Sequence, residues 1–169
     1  MKRAVARLVL GWSFLVLAGC TSSPLRLLVV DGHELHPSLV TRKLEDITTL
    51  DRTPVLRANP YLSTSSELVE LIARGASQGR LGGEGMRAAV YGVYLGESEL
   101  GFYGLEAASS ADADRREAAL REIWAYGERL GRARVHRIGR VLVIVWQRGG
   151  AASCWEAVNA RIVERLSAP

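Results

Sequence analysis

Residues 141–146, Val-Leu-Val-Ile-Val-Trp, are apolar without interruption. A strand with one face in water alternates apolar and polar residues. A strand that is apolar at every position is central and has protein against it. The fold must be built around this segment. The preceding stretch, Arg-Ala-Arg-Val-His-Arg-Ile-Gly-Arg, forms the other arm of a hairpin that turns near Ile138 and Gly139. Two further strands are expected at 86–95 and 99–106, joined through Gly-Glu-Ser-Glu.

Helical periodicity fills the intervals. Leu68, Leu71, Ile72 and Ala76 share one face, so 65–78 reads as a helix, with Thr64 and Glu67 spaced as a capping box. Asp114 and Glu117 open a second helix carrying Leu120, Ile123 and Leu130, which ends at Gly131. Ser153 and Glu156 open a third, striped by Trp155, Val158, Ile162 and Leu166. Nearer the start, 25–30 reads as a strand, 37–50 as a helix and 51–63 as a loop. From residue 86 the order is strand, strand, helix, strand, strand, helix. The expected fold is a single α+β domain over 25–169. It has an antiparallel sheet of four to five strands and helices mainly on one face.

The first 19 residues are of another kind. Lys2, Arg3 and Arg7 precede ten apolar residues, 8–17, and then the small Ala18 and Gly19. That is the layout of a secretory signal, and ten residues are too few for a bilayer that needs about 20. Cys20 follows, then a short polar tether at 20–24. The segment Leu17-Ala18-Gly19-Cys20 resembles the lipobox of bacterial lipoproteins. That resemblance implies cleavage between Gly19 and Cys20 and fatty acylation (diacylglycerol, commonly palmitate-bearing) on the Cys20 thiol. The partner implied is a lipid bilayer. Thr21 in place of Asp favours the periplasmic face of the outer membrane over the inner membrane.

Composition narrows the rest. The chain has 22 basic and 18 acidic residues, and three of the basic ones lie within the leader, so the domain is close to neutral. A nucleic-acid partner calls for a clearly basic domain, and none is expected. With Cys20 acylated, Cys154 is the only other cysteine and has no partner within the chain.

Several groups are candidates for chemistry. Cys154 falls in the first turn of the last helix, where backbone N–H groups favour a thiolate. A reactive thiol there competes with a packed, inert one. His33 and His36, beside Asp31 and Glu34, invite a metal reading, yet their spacing is not that of H-E-x-x-H, and no metal or other cofactor is expected. Arg132, Arg134, Arg137 and Arg140 crowd one hairpin. Alternation would send Arg132, Arg134 and His136 to one side, as a face for an anionic headgroup or an acidic envelope protein or as a solvated edge. Tyr91, Tyr94, Phe102 and Tyr103 interleave with Gly92, Gly101 and Gly104, as a sugar- or peptide-binding surface or as cross-strand packing. The function expected is a non-catalytic binding or assembly module on a lipid anchor. The alternative is an envelope hydrolase or thiol redox enzyme using Cys154 or the His33–His36 region.

Overall fold

The computed structural model describes residues 22–43, 58–149 and 153–168. The leader, Cys20 and residues 44–57, which carry half of the expected 37–50 helix and the first part of the expected 51–63 loop, lie outside the described residues. A 3₁₀ turn at Pro24–Leu28 leads into α1 (Gly32–Leu35), β1 (Val40–Thr41), β2 (Tyr61–Ser63), α2 (Ser66–Ala76), β3 (Met86–Leu95), β4 (Glu99–Ala107), α3 (Ser110–Arg129), β5 (Ala133–Ile138), β6 (Val141–Arg148) and α4 (Trp155–Ser167). The fold is α+β, with one six-stranded sheet of order β1-β3-β4-β6-β5 and β2 also paired to β3. Every pairing is antiparallel.

Two cores flank the sheet. One face carries Ala89, Tyr91, Val93, Tyr103, Leu105, Leu142, Ile144 and Trp146 under α2 and α3. The other carries Val90, Tyr94, Leu100, Phe102, Val143 and Val145 under α4 and the N-terminal segment. Thus α2 and α3 share one face as expected, while α4 lies on the opposite one. The reason was already in β6: a strand apolar on both sides requires cover on both sides.

The N-terminal segment differs from its sequence reading. Residues 25–30 are not a strand. Pro24 opens a 3₁₀ turn, and Ser23 Oγ accepts a hydrogen bond from Leu25 N at 3.3 Å. Leu25 and Leu28, three residues apart, point together into the core, which matches the three-residue period of this helix. Gly104 leaves them room: a Cβ there would stand 3.0 Å from Leu25 Cδ2 and 2.6 Å from Val90 Cγ1. Nor does the expected helix begin at Pro37. Val40 and Thr41 pair with Leu95 and Tyr94 on the outer edge of β3, and Leu39 turns into the core. Residues 61–63, expected as loop, form β2 on the same edge.

Between β1 and β2 a side chain continues the ladder. Asn59 Oδ1 accepts from Val93 N at 2.9 Å, and its Nδ2 donates to Val93 O at 2.6 Å and Arg42 O at 2.7 Å. The amide takes the place of a missing backbone peptide. Asn59→Ala leaves the Val93 N–H without this acceptor, and is expected to remove about 1–3 kcal/mol from the urea unfolding free energy with an unchanged m-value.

Candidate functional site: an aromatic cleft with an arginine rim

The helix boundaries position the site. Ser109 caps α3, its Oγ accepting from Asp112 N at 3.1 Å, so this helix starts earlier than Asp114. Its far end closes at Gly131, with φ of +64°, a left-handed conformation that glycine adopts readily. Arg132 then precedes β5. Close to that end, Gly127 lets α3 approach the sheet: a Cβ there would come 2.9 Å from Ala133 Cβ.

Under the C-terminal part of α3 lies a cleft of about 260 Å³. Tyr103 of β4, Trp146 of β6 and Trp124 of α3 line it, with Arg132, Gln147 and Arg148 around them. Tyr103 sits between two rings, 5.0 Å from Tyr91 and 6.4 Å from Trp146 between centroids. Gly75 of α2 makes space for it, since a Cβ would meet Tyr103 Cε1 at 3.0 Å. Burial, with a push from neighbouring Tyr91, holds the Tyr103 hydroxyl well above its usual range and so neutral. Trp124 is oriented by its Nε1 donating to Ala76 O at 2.7 Å. Trp146 lies over Gly101, its directly paired neighbour, where a Cβ would come 2.4 Å from Trp146 Cζ2. The Trp146 Nε1–H is buried and has no hydrogen-bond partner among the described residues.

The cleft is electropositive at its mouth. Arg132 is exposed and forms no ion pair among the described residues. Arg148 Nη1 stands 3.7 Å from Glu99 Oε1, but Glu99 is also engaged by Arg42. The helix-end carbonyls nearby are occupied. Ala76 O takes Trp124, Gly131 O takes Gln147 Nε2 at 2.7 Å, and Gly127 O takes Arg132 N at 2.8 Å.

The four arginines of the hairpin do not form one face. Arg134 makes two hydrogen bonds to Glu156 of α4, at 2.7 and 2.9 Å. Arg137, on the opposite face of β5, pairs with Asp114 and Glu117 of α3, and Arg140 donates to Ala108 O at 3.1 Å. Arg132 was expected beside Arg134 and His136, but it lies in the turn before β5, beyond the reach of strand alternation, and faces the cleft.

His136 and Arg134 do share a side. His136 Nε2 meets Asn159 Oδ1 at 2.7 Å, and Asn159 in turn donates to Trp155 O at 2.9 Å. Burial pushes His136 below its ordinary pKa, with help from Arg134 and Arg121 and opposition from Asn159 and Glu128. The unfolded chain therefore binds a proton near pH 6.5 that the folded chain resists, and stability falls as pH drops below about 6.5. His136→Gln is expected to flatten the fall between about pH 6.5 and 5 in urea titrations at stepped pH, above the range where the carboxylates protonate.

Cys154 is the N-cap residue of α4 and is 3 % exposed, packed in the core beside Trp155 and Val158. Neither Ser153 nor Glu156 builds the expected capping box: Ser153 N donates to Glu97 at 3.0 Å, and Glu156 is held by Arg134. His33 is exposed on α1, and His36 Nδ1 is tied to Ser38. Glu34 accepts from Asp31 N and from Arg165. Among the described residues no group of three or more His, Cys, Asp or Glu is placed to hold a metal ion. Among them, too, no histidine is hydrogen-bonded to Cys154.

The sequence pattern marked Trp146 only as part of the apolar 141–146 run and did not single out Trp124. Their convergence with Arg132 and Arg148 depends on strand register and on the end of α3, which short-range patterns do not encode. No protein-family model, no curated protein and no solved structure matches this chain.

Proposed function

We propose that this chain is an exported lipoprotein, cut after Gly19 and acylated on Cys20, whose single domain serves as a non-catalytic binding module at the cell envelope. The observation that carries the reading is the order of residues 1–20: a basic start, ten apolar residues, then Leu-Ala-Gly-Cys. The outer membrane is the favoured address, since Thr21 rather than Asp follows the cysteine. No helix among the described residues is long and apolar enough to cross a membrane, so within them a covalent anchor has no spanning helix to compete with.

The domain supports the binding part of the reading. Leu25 and Leu28 are fully buried, so the packed body begins within five residues of Cys20. At about 3.5 Å per residue, the tether spans no more than about 17 Å. The cleft under α3 is lined by aromatic side chains and by Arg132, which has no ion pair among the described residues, the usual means of holding a small ligand in place. A thiol reaction at Cys154 has less support, because the sulfur is buried and lacks a base. The test is the intact mass of the chain extracted from membranes. It should begin at Cys20 and carry two or three acyl groups; a different first residue, or no added hydrocarbon, refutes the anchor.

A further inference from the structure

We propose that the cleft between α3 and the β4–β6 end of the sheet binds a ring-shaped carboxylate, with its ring against Trp124, Trp146 and Tyr103 and its carboxylate on Arg132. The inference deepens the binding-module reading above and rests on it. Three features of the site lead to this chemistry. Its lining includes three aromatic side chains, and such rings attract flat or CH-rich rings and select little among them. Trp146, one of its lining residues, carries a buried Nε1–H with no acceptor among the described residues; a ring oxygen or hydroxyl that reached it would relieve the free-energy cost of an unpaired buried donor. Its lining includes a guanidinium with no carboxylate on it among the described residues, Arg132, and a second, Arg148, only loosely paired. Guanidinium forks fit carboxylates in two parallel hydrogen bonds.

The surroundings agree with an anion. The carbonyls at the ends of α2 and α3 that could repel one already accept internal hydrogen bonds. A volume of about 260 Å³ suits one ring with a short substituent and is at the small end for ligand pockets. Arg134 and Arg137 of the same hairpin are not competing for the ligand, because they are committed to Glu156 and to Asp114 and Glu117.

Two sources share this chemistry, aromatic acids and acidic sugars, and two probes separate them. The full chain, extracted in detergent with its N-terminal mass recorded, is titrated with benzoate and with glucuronate by calorimetry. Benzyl alcohol and glucose serve as neutral counterparts. At least one anion should bind at millimolar concentration or below, about tenfold more tightly than its neutral counterpart. Arg132→Gln, an exposed change, should remove that preference without lowering Tm, and Trp146→Phe should weaken binding severalfold. Benzoate alone marks an aromatic acid, glucuronate alone an acidic sugar, and both together the shared chemistry. No binding of either anion, equal binding of the neutral compounds, or an Arg132→Gln chain that keeps the preference overturns the proposal. A chain that binds the anion but lacks acyl mass leaves the cleft standing and removes the anchor; an acylated chain that binds neither anion does the reverse.

Discussion

Phe102→Ala is expected to lower the unfolding free energy by about 3–5 kcal/mol, the range for emptying a fully buried aromatic site. Phe102 is central in the core beneath α4 and is fully buried. Its cross-strand partners are Gly92 and Val145, and on the Gly92 side the ring fills the space a side chain would need: a Cβ on Gly92 would lie 2.9 Å from both Cε1 and Cζ of Phe102. Tyr94 flanks the ring at 6.0 Å between centroids, itself fixed by a hydrogen bond from its hydroxyl to Val30 O at 3.0 Å. With a glycine opposite and a tethered tyrosine beside, little can collapse into the void, so the loss belongs at the upper end. For a domain with about 5–15 kcal/mol in total, Tm should fall by on the order of 10 °C. Tyr126→Ala, at a position 67 % exposed, is the control and should change stability by less than about 0.5 kcal/mol. A Phe102→Ala chain as stable as that control would contradict the packing of this face.

The second large effect concerns the anchor. Cys20→Ser is expected to give an uncut chain that keeps residues 1–19 and takes up no labelled fatty acid, because a hydroxyl does not replace the thiol that forms the thioether. Each buried methylene contributes about 0.8 kcal/mol, and one acyl chain holds a protein only weakly, whereas two or three on a single residue hold it durably. Because the uncut leader is itself apolar, fractionation of this variant alone is ambiguous. A chain exported behind an ordinary cleavable signal and starting at Thr21 resolves that: it should leave the membrane fraction entirely on osmotic release. If it stays with the membrane, the domain binds there by itself and the lipid is not the anchor.

Legibility in the sequence followed the range of the forces involved. The bounds of β3 and β4, and the existence of α2, α3 and α4, could be read because alternation, helical stripes and glycine stops are local. The 25–30 segment misled because an apolar run of six suits a strand, a core helix or a 3₁₀ turn, and only the vacancy above Gly104 decides among them. Residues 37–43 misled because Val40 is helically spaced yet faces outward on an edge strand. The α+β antiparallel sheet was expected; its cover on both faces was implied by β6, though the helices had been expected mainly on one. The cleft was the least legible part. Gly101 and Trp146 are far apart in the chain; the β4–β6 register brings the indole over the glycine, and the end of α3 delivers Arg132 to the cleft.

The sheet's two borders bear on how copies behave side by side. On one, the Asn59 amide closes the gap between β1 and β2; on the other, Glu128 Oε1 of α3 accepts the outward amide of Val135 in β5 at 3.0 Å. Sheets left bare at such borders recruit one another strand by strand. Here Asn59 takes the β3 amide of Val93 between β1 and β2, and Glu128 takes one amide of β5, so each border offers a crowded neighbour a more broken row of donors to zip onto.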